Sequence, residues 1–211
     1  MPLHLRRVSH ARAIGYIGGA ASIEKQEETK MRLKLLSPGE MNADQKQTYD
    51  EAIAGKRGAP PAPMMAWLNS PEMARHATRL GETLRFNTMF PPKLSEIAIL
   101  VTARHFTAHY EWFAHKRLAL KGGMDLRIIE AIRDRRTPVF EEPKGKTIYE
   151  VAKSLHEGHG LSKALYAEAV EVLSERGLTE IIGLCGYYTL VSLTLNTFEF
   201  GLPEGEVSEL E

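Results

Sequence analysis

The apolar residues of this chain recur with the period of an α-helix from Met31 onward. In the segment "NSPEMARHATRLGETLRF", Ser70 and Pro71 suit the start of a helix. The apolar positions that follow at helical spacing are Met73, Ala77, Leu80 and Leu84. No stretch shows the alternation of apolar and polar residues that is typical of a half-buried strand. The sequence therefore predicts an all-α helical bundle.

Capping residues and glycines predict where the other helices begin and end. Asn42, with Gln45 three residues later, forms a capping-box pattern, and that helix is expected to stop at Gly55. Asp125 is expected to cap a short helix. The remaining helices are predicted over about 93–105, 107–121, 147–157, 163–176 (capped by Ser162 and closed by Gly177) and 179–198 (after Thr179). The segment "APPAPMM" is expected to be an extended connector.

Two of these helices are apolar on most faces. The segment "PPKLSEIAILVTARHF" carries apolar residues around its axis, which indicates burial on nearly all sides, and Glu96 lies within it. The segment "EIIGLCGYYTLVSLTLNTF" is similarly apolar, and we expect a core or subunit-interface helix there.

The composition excludes several classes of protein. The 211 residues include 27 basic and 27 acidic side chains, so no net charge attracts nucleic acid or anionic lipid. The longest strictly apolar runs are far shorter than the roughly 20 residues that cross a bilayer. Cys185 is the single cysteine, so no intrachain disulfide exists and nothing indicates an oxidising compartment. We expect a soluble, cytoplasmic protein.

The chain divides into an N-terminal extension, one domain and a short tail. Residues 1–30 are rich in arginine and glycine, and we interpret them as a disordered extension or a mis-assigned start rather than a targeting segment. Residues 31–203 are predicted to form a single helical domain, because the charged loop "RRTPVFEEPKGK" does not by itself separate two domains. Residues 204–211 form an acidic tail.

The segment "HYEWFAH" carries the chemistry-bearing residues. Glu111 and His115 are four residues apart and so project from one helix face. A carboxylate beside an imidazole permits proton transfer near neutral pH. Glu96, in the buried helix, must find partners or remain protonated.

Other interpretations of these residues stay open. A Glu–His pair at this spacing is often only a helix-surface contact, and Trp112 and Tyr110 are more often packing aromatics than substrate contacts. His105 and His109 are expected to cap or pack, and "HEGH" at 156–159 to be a solvated helix end. The spacing matches neither of the helical metal-binding patterns H-E-x-x-H and E-x-x-H, so no metal is predicted.

Two segments carry a family resemblance. "LSEIAILVTARHFTAHYEWFAHKRLALKGG" and "LTEIIGLCGYYTLVSLTLNTF" resemble the carboxymuconolactone decarboxylase family, an all-α group that also contains the alkylhydroperoxidase AhpD-type proteins. The resemblance covers roughly residues 33–203 and is most specific over 94–123. The peroxidase branch uses a C-x-x-C pair, whose positions fall on Ala108 and Glu111, so both thiols are missing. Its upstream glutamate falls on Glu96.

The resemblance implies a cofactor-free enzyme similar to 4-carboxymuconolactone decarboxylase, with a small lactone or carboxylate as substrate. Glu96, Glu111 and His115 are the candidate catalytic residues, and the sequence does not say which of them transfers the proton. Arg104, Tyr110 and Trp112 are candidate substrate contacts, although ion pairing is an equal interpretation of Arg104. There are two alternatives. The protein is either a peroxiredoxin-like family member of the alkylhydroperoxidase AhpD type, or a non-catalytic helical oligomer that binds a small acid.

We predict self-association as a trimer or hexamer, as in relatives of the family. The apolar faces of 93–105 and 179–198 exceed what a few short helices can cover, and a neighbouring subunit is expected to complete the pocket. Light scattering at micromolar concentration tests this prediction, and a monomer there would contradict it.

Overall fold

The computed structural model describes residues 31–211, so the interpretation of residues 1–30 lies outside the described residues. The described part of the chain is all-helical, as predicted, and contains no strand. Its helices are α1 (Ala43–Ala54), α2 (Ala62–Trp67), α3 (Pro71–Phe86), α4 (Pro92–His105), α5 (His109–Lys121), α6 (Leu126–Arg133), α7 (Pro143–Gly158) and α8 (Lys163–Thr197).

Most of the predicted helix ends are confirmed because they depend on local capping. Asn42 and Gln45 form the reciprocal capping box of α1, and Gly55 is its C-cap. Asp125 and Ser162 accept backbone N–H groups at the starts of α6 and α8. The prediction of an extended connector at "APPAPMM" is wrong in its second half, where α2 forms. Proline is compatible with the first turn of a helix, since no intrahelical partner is needed there.

Helix α4 forms the centre of the bundle. Every residue from Leu94 to Arg104 is buried, and α4 packs against α5, α7 and α8. The all-round apolar surface predicted from the sequence is thus satisfied within one chain. Glu96, which is 4% exposed, lies inside this core.

Helix α8 contains one non-helical residue, which divides it into two segments. Ser174 adopts φ 67° and ψ 165°, and its hydroxyl accepts the backbone N–H of Gly177. The break therefore precedes the predicted one at Gly177 and Thr179, because a serine side chain caps the second segment. By length and composition α8 could cross a membrane, but more than half of its most apolar stretch is buried within the bundle.

The buried face of α3 differs from the predicted apolar stripe. Ala77 and Leu84 are buried as expected, whereas Met73 and Leu80 are exposed. The helix is rotated because Gly81 faces α8 and leaves room for Tyr187. A Cβ atom at Gly81 would lie 2.1 Å from the Tyr187 hydroxyl oxygen. Close approach of the two helices at this glycine sets the position of Tyr187.

The acidic tail packs on α5. Glu206 pairs with Arg117 at 2.7 Å, Glu209 pairs with Lys116, and Leu210 is buried. Trp67 of α2 donates its indole N–H to the Thr194 hydroxyl of α8 at 2.8 Å. Near the start of the described residues, the Arg32 backbone N–H donates to the Phe198 carbonyl at 3.1 Å, so both ends of the described chain contact the bundle.

Gly81→Ala is expected to destabilise the protein, whereas Gly186→Ala is not. At Gly81 the new methyl group collides with Tyr187, and overpacking outweighs the better helix propensity of alanine by about 1–2 kcal/mol. At Gly186, on the same apolar segment of α8, nothing lies within 4 Å of the new Cβ, so stability should rise by about 0.5–1 kcal/mol. Urea unfolding of both variants measures this. Equal effects would contradict the proposed Gly81–Tyr187 packing.

Candidate active site

Three titratable side chains meet between α4 and α5. Helix α5 begins after Thr107, which adopts a left-handed φ of 47°, so the two helices form a hairpin with a very short connection. The buried face of α5 carries Glu111 and His115, and it lies against α4, where Glu96 is buried. Glu111 occupies the first turn of α5, where the helix dipole favours a negative charge.

His115 lies between the two carboxylates. Its Nδ1 is 2.6 Å from Glu96 Oε2, and its Nε2 is 2.8 Å from Glu111 Oε1. All three side chains are at least 93% buried. Only the protonated ring has a proton on both nitrogens, so only the imidazolium donates to both carboxylates at once. We refer to these three residues as the Glu–His–Glu cluster.

The electrostatics of the cluster favour a charged imidazole. Burial opposes the charge, but the fields and hydrogen bonds of Glu96 and Glu111 outweigh it and raise the pKa of His115 to about 9. At neutral pH the ring therefore holds a proton and is a general acid.

Two tyrosines of α8 contact the cluster or its neighbours. The Tyr188 ring meets the His115 ring edge to face, with centroids 4.9 Å apart, and Tyr187 packs against Tyr188 in the same way. Burial raises the pKa of Tyr188 far above its usual range, and it raises the pKa of Tyr187 to about 12. Both hydroxyls are therefore protonated at neutral pH and act as neutral donors.

An open cavity of about 430 Å³ gives access to the cluster. Glu111 and His115 form part of its wall, and Glu96 lies behind them. The other lining residues are basic, aromatic or apolar: Lys56, Arg57, Pro61, Ala62, Pro63, Arg85, Phe86, Tyr110, Ala114, Leu118, Tyr187, Tyr188 and Val191. Such a cavity suits a small, flat anion.

The structure brings four of the six residues predicted from the sequence to this site. Glu96, Glu111 and His115 form the cluster, and Tyr110 lines the cavity. Trp112 is buried behind α5, where it faces Glu209 of the tail, so it packs and does not line this cavity.

Arg104 also lies away from the cavity, which corrects its predicted role as a substrate contact. It donates from Nε to the Arg133 carbonyl at 2.6 Å and from Nη1 to the Glu211 carbonyl at 3.1 Å. Its guanidinium thus supplies hydrogen bonds to a backbone carbonyl at the C-terminal end of α6 and to the carbonyl of Glu211.

Two other histidines, His105 and His156, pack at the opposite end of α4. The rings of His105 and His156 stack with centroids 4.9 Å apart, and His156 Nε2 bonds the Thr102 hydroxyl at 2.8 Å. Burial, with a smaller effect of His105, lowers the pKa of His156 to about 4. The prediction of a solvated helix end at 156–159 is therefore wrong for His156. His109 contacts Ser208 of the tail, which agrees with a packing role.

Sequence reasoning missed the residues that distant elements contribute. Arg85 comes from the end of α3, Lys56 and Arg57 come from the α1–α2 loop, and Tyr187 and Tyr188 come from α8. The only local signal is the pattern "GYY" within an apolar helix, because a buried tyrosine usually needs a polar partner.

A larger cavity, of about 510 Å³, lies beside α6 and the start of α7. Its walls include Leu94, Ile128 and Phe140, with charged residues such as Arg127 and Glu142 at the surface. It contains no buried titratable pair, so we place the chemistry at the smaller cavity. Among residues 31–211, no group of three or more His, Cys, Asp and Glu side chains is arranged to hold a metal ion.

Solved structures share this fold. The core of an alkylhydroperoxidase AhpD, an uncharacterized peroxidase-related protein from Ralstonia eutropha JMP134, matches with a TM-score of 0.69 and 14% identity, over 82% of this chain and 93% of its own. The debrominase Bmp8, as a cysteine-to-alanine variant with 2,3,4-tribromopyrrole, matches with a TM-score of 0.65 and 13% identity, over 83% and 95%. No family model and no curated protein matches the sequence.

These similarities define the class of the fold, which is the AhpD-like all-α fold. At such low identity they define the fold alone, and the decarboxylase resemblance of the sequence stays a prediction.

The pairing of His115 should make stability depend on pH. The folded pKa of about 9 lies above the ordinary 6.5, so the ion pairs stabilise the fold fully below pH 6.5. This contribution is lost as the pH rises through about 9, and it amounts to on the order of 3 kcal/mol. Urea unfolding of the wild type and of His115→Gln, which does not titrate, measures the difference across this range. A difference in unfolding free energy that is independent of pH would contradict the pairing.

Proposed function

We propose that the protein is a cofactor-independent enzyme that acts on a small unsaturated carboxylic acid or lactone by acid–base chemistry, as a carboxy-lyase. One observation carries the proposal: a buried histidine is bonded at both nitrogens to carboxylates, at the wall of a cavity lined with cationic and aromatic side chains. This arrangement stores a proton beside a space for an anion.

The residues of the cluster have separate roles in this chemistry. When the carboxylate departs as carbon dioxide, its C–C bond breaks and the electron pair moves into a conjugated carbonyl, which becomes an enolate. The protonated His115 supplies the proton that the substrate carbon takes up. Glu111 lines the cavity and accepts the Nε2 proton of His115, so it relays that proton to the substrate carbon, while Glu96 orients the ring from Nδ1. Water in the open cavity then restores the proton.

The enolate intermediate requires stabilisation by preorganised donors. The Tyr188 hydroxyl is protonated, the buried Tyr188 ring packs edge to face on the His115 ring, and Tyr188 lines the cavity. We assign it to the developing enolate oxygen. A neutral donor is suited to this task because it adds no charge that the resting site must compensate.

The properties of Cys185 argue against the peroxiredoxin-like alternative. It is the only cysteine in the sequence and is 3% exposed. Burial raises the pKa of its thiol to about 12, so the reactive thiolate is scarce at neutral pH. A dithiol cycle also needs a resolving thiol, which one chain does not contain.

We also propose that the enzyme works in the cytoplasm as a trimer or hexamer. Large apolar side chains remain exposed on the described surface, among them Met73, Leu80, Ile182 and Leu193. Exposed apolar side chains of this kind on α3 and α8 are typical of contact between subunits.

Carbon dioxide release from a panel of unsaturated lactone and dienoic acids tests the proposed activity. His115→Ala should lower kcat by about 10²–10⁴-fold, because the reaction loses its acid. Glu111→Gln should lower kcat and shift the pH profile, since it removes one of the charges that hold the proton on the ring. Glu96→Gln should have an intermediate effect.

Cys185→Ser is the matched control and should leave turnover unchanged. Thermal melts of all four variants separate loss of chemistry from loss of fold. Normally melting cluster variants with wild-type turnover would refute the assignment of the cluster. Peroxide reduction abolished by Cys185→Ser would instead support the thiol alternative, and tight acid binding without turnover would support a binding protein.

A further inference from the structure

Three basic residues line one part of the cavity without a carboxylate partner. Arg85 belongs to the last turn of α3, and Lys56 and Arg57 belong to the α1–α2 loop. Among the residues that the structure describes, none of the three side chains forms a salt bridge with a carboxylate. The Lys56 ammonium donates to the neutral Asn87 side chain at 2.7 Å, while the Lys56 backbone N–H donates to Glu82 Oε1 at 2.6 Å. Elsewhere on the described surface, arginines such as Arg79, Arg117 and Arg133 are paired.

The charges of the cavity are therefore divided. His115 holds its proton between two carboxyl groups, and the three basic residues outnumber the single acidic residue of the lining, Glu111. A cavity with this charge distribution attracts an anion and also orients it. The anionic group is drawn to the basic residues and repelled from Glu111.

Arg85 differs from the other two basic residues in its environment. It is half-buried, its guanidinium lies over the Phe86 ring at 5.8 Å from the centroid, and it interacts with Tyr188 and with the charges of Glu96 and Glu111. Lys56 is exposed, and its long side chain loses more entropy on binding. A guanidinium held against aromatic rings is already ordered, and its fork matches the two oxygens of a carboxylate.

We propose that Arg85 binds the anionic group of the substrate, with Arg57 and Lys56 in support, and so directs the reacting carbon toward Glu111 and His115. This inference rests on the proposed function and adds to it a binding residue and an orientation. The ligand class is a small, flat, unsaturated acid. The aromatic rings of Tyr110, Phe86 and Tyr187 contact its flat part.

A neutral ligand of the same shape should bind poorly. An amide leaves the Arg85 guanidinium without its charged partner, whereas a carboxylate accepts two hydrogen bonds from it. The ratio of the affinities for an acid and for its amide therefore measures how strongly Arg85 binds the anionic group. A purely structural role of Arg85 would affect both ligands equally.

The experiment measures binding and does not need turnover. Isothermal titration determines the affinity of the full-length protein for benzoate and sorbate, each beside its neutral amide, at millimolar concentrations. The variants are Arg85→Gln and Arg85→Lys. The matched control is Arg79→Gln, which removes one positive charge from the same helix but outside the cavity, where Arg79 pairs with Glu51 at 3.3 Å.

Wild type and Arg79→Gln should bind the acids in preference to the amides. Arg85→Gln should weaken acid binding by about 10- to 100-fold and abolish the preference, since a charged hydrogen bond is lost. Arg85→Lys should keep part of the preference because the charge remains. Melts of each variant exclude unfolding as the cause.

The proposal is overturned if Arg85→Gln and Arg79→Gln bind the acids equally well, or if wild type shows no preference for acids over amides. Glu111→Gln separates it from the proposed function. If Glu111→Gln binds the acids, adding Arg85→Gln to it weakens that binding, and the wild type turns over no acid, then Arg85 binds the anion and the enzymatic proposal fails. If acids are turned over while Arg85→Gln changes neither KM nor acid affinity, Arg85 does not bind the anionic group and the enzymatic proposal stands.

Discussion

The ion-pair hydrogen bonds of His115 with two carboxylates are the constraint on which the rest of the site depends. Glu96 lies in the most deeply buried helix, where an unpaired carboxylate would be strongly destabilising. The Glu96 carboxylate is paired with the imidazole of His115 on α5, and this pairing fixes the distance between the two side chains and the orientation of the ring. The hairpin between α4 and α5 therefore has to be tight, and the second carboxylate then holds the other nitrogen. Breaking such a buried pair usually costs more than the pair contributes, so the geometry is expected to be rigid.

Much of the fold could be predicted because its determinants are local. Capping residues such as Asn42 and Asp125 act within a few positions of the chain, and an apolar run as long as that of α4 has few alternatives to a central helix. Glu111 and His115 were paired correctly for the same reason, since residues four apart share a helix face. Glu96 was grouped with them only through a family resemblance. The structure places Glu96 Oε2 at hydrogen-bond distance from His115 Nδ1.

The remainder of the site depends on packing between distant segments. Arg85 and Tyr188 reach the cavity because Gly81 allows α3 to approach α8, and no periodic pattern encodes that rotation. Arg104 was predicted to bind a substrate carboxylate because it lies near the junction of two helices. Instead, its guanidinium donates to the Arg133 carbonyl at the end of α6. The break in α8 was predicted at the glycine, whereas the chain uses the side chain of Ser174, which competes equally well for a backbone N–H.

The first turn of α5 has a consequence for how such a scaffold diversifies. Glu111 stands where, by the resemblance, peroxidase relatives carry a cysteine, and the same exposed N–H groups and dipole stabilise an anion there. They act on the charge itself, whether oxygen or sulfur bears it. The first turn of this helix can thus stabilise either a thiolate or a carboxylate. Under the proposed function, exchanging one anion for the other at this position would change the type of reaction without a change of backbone.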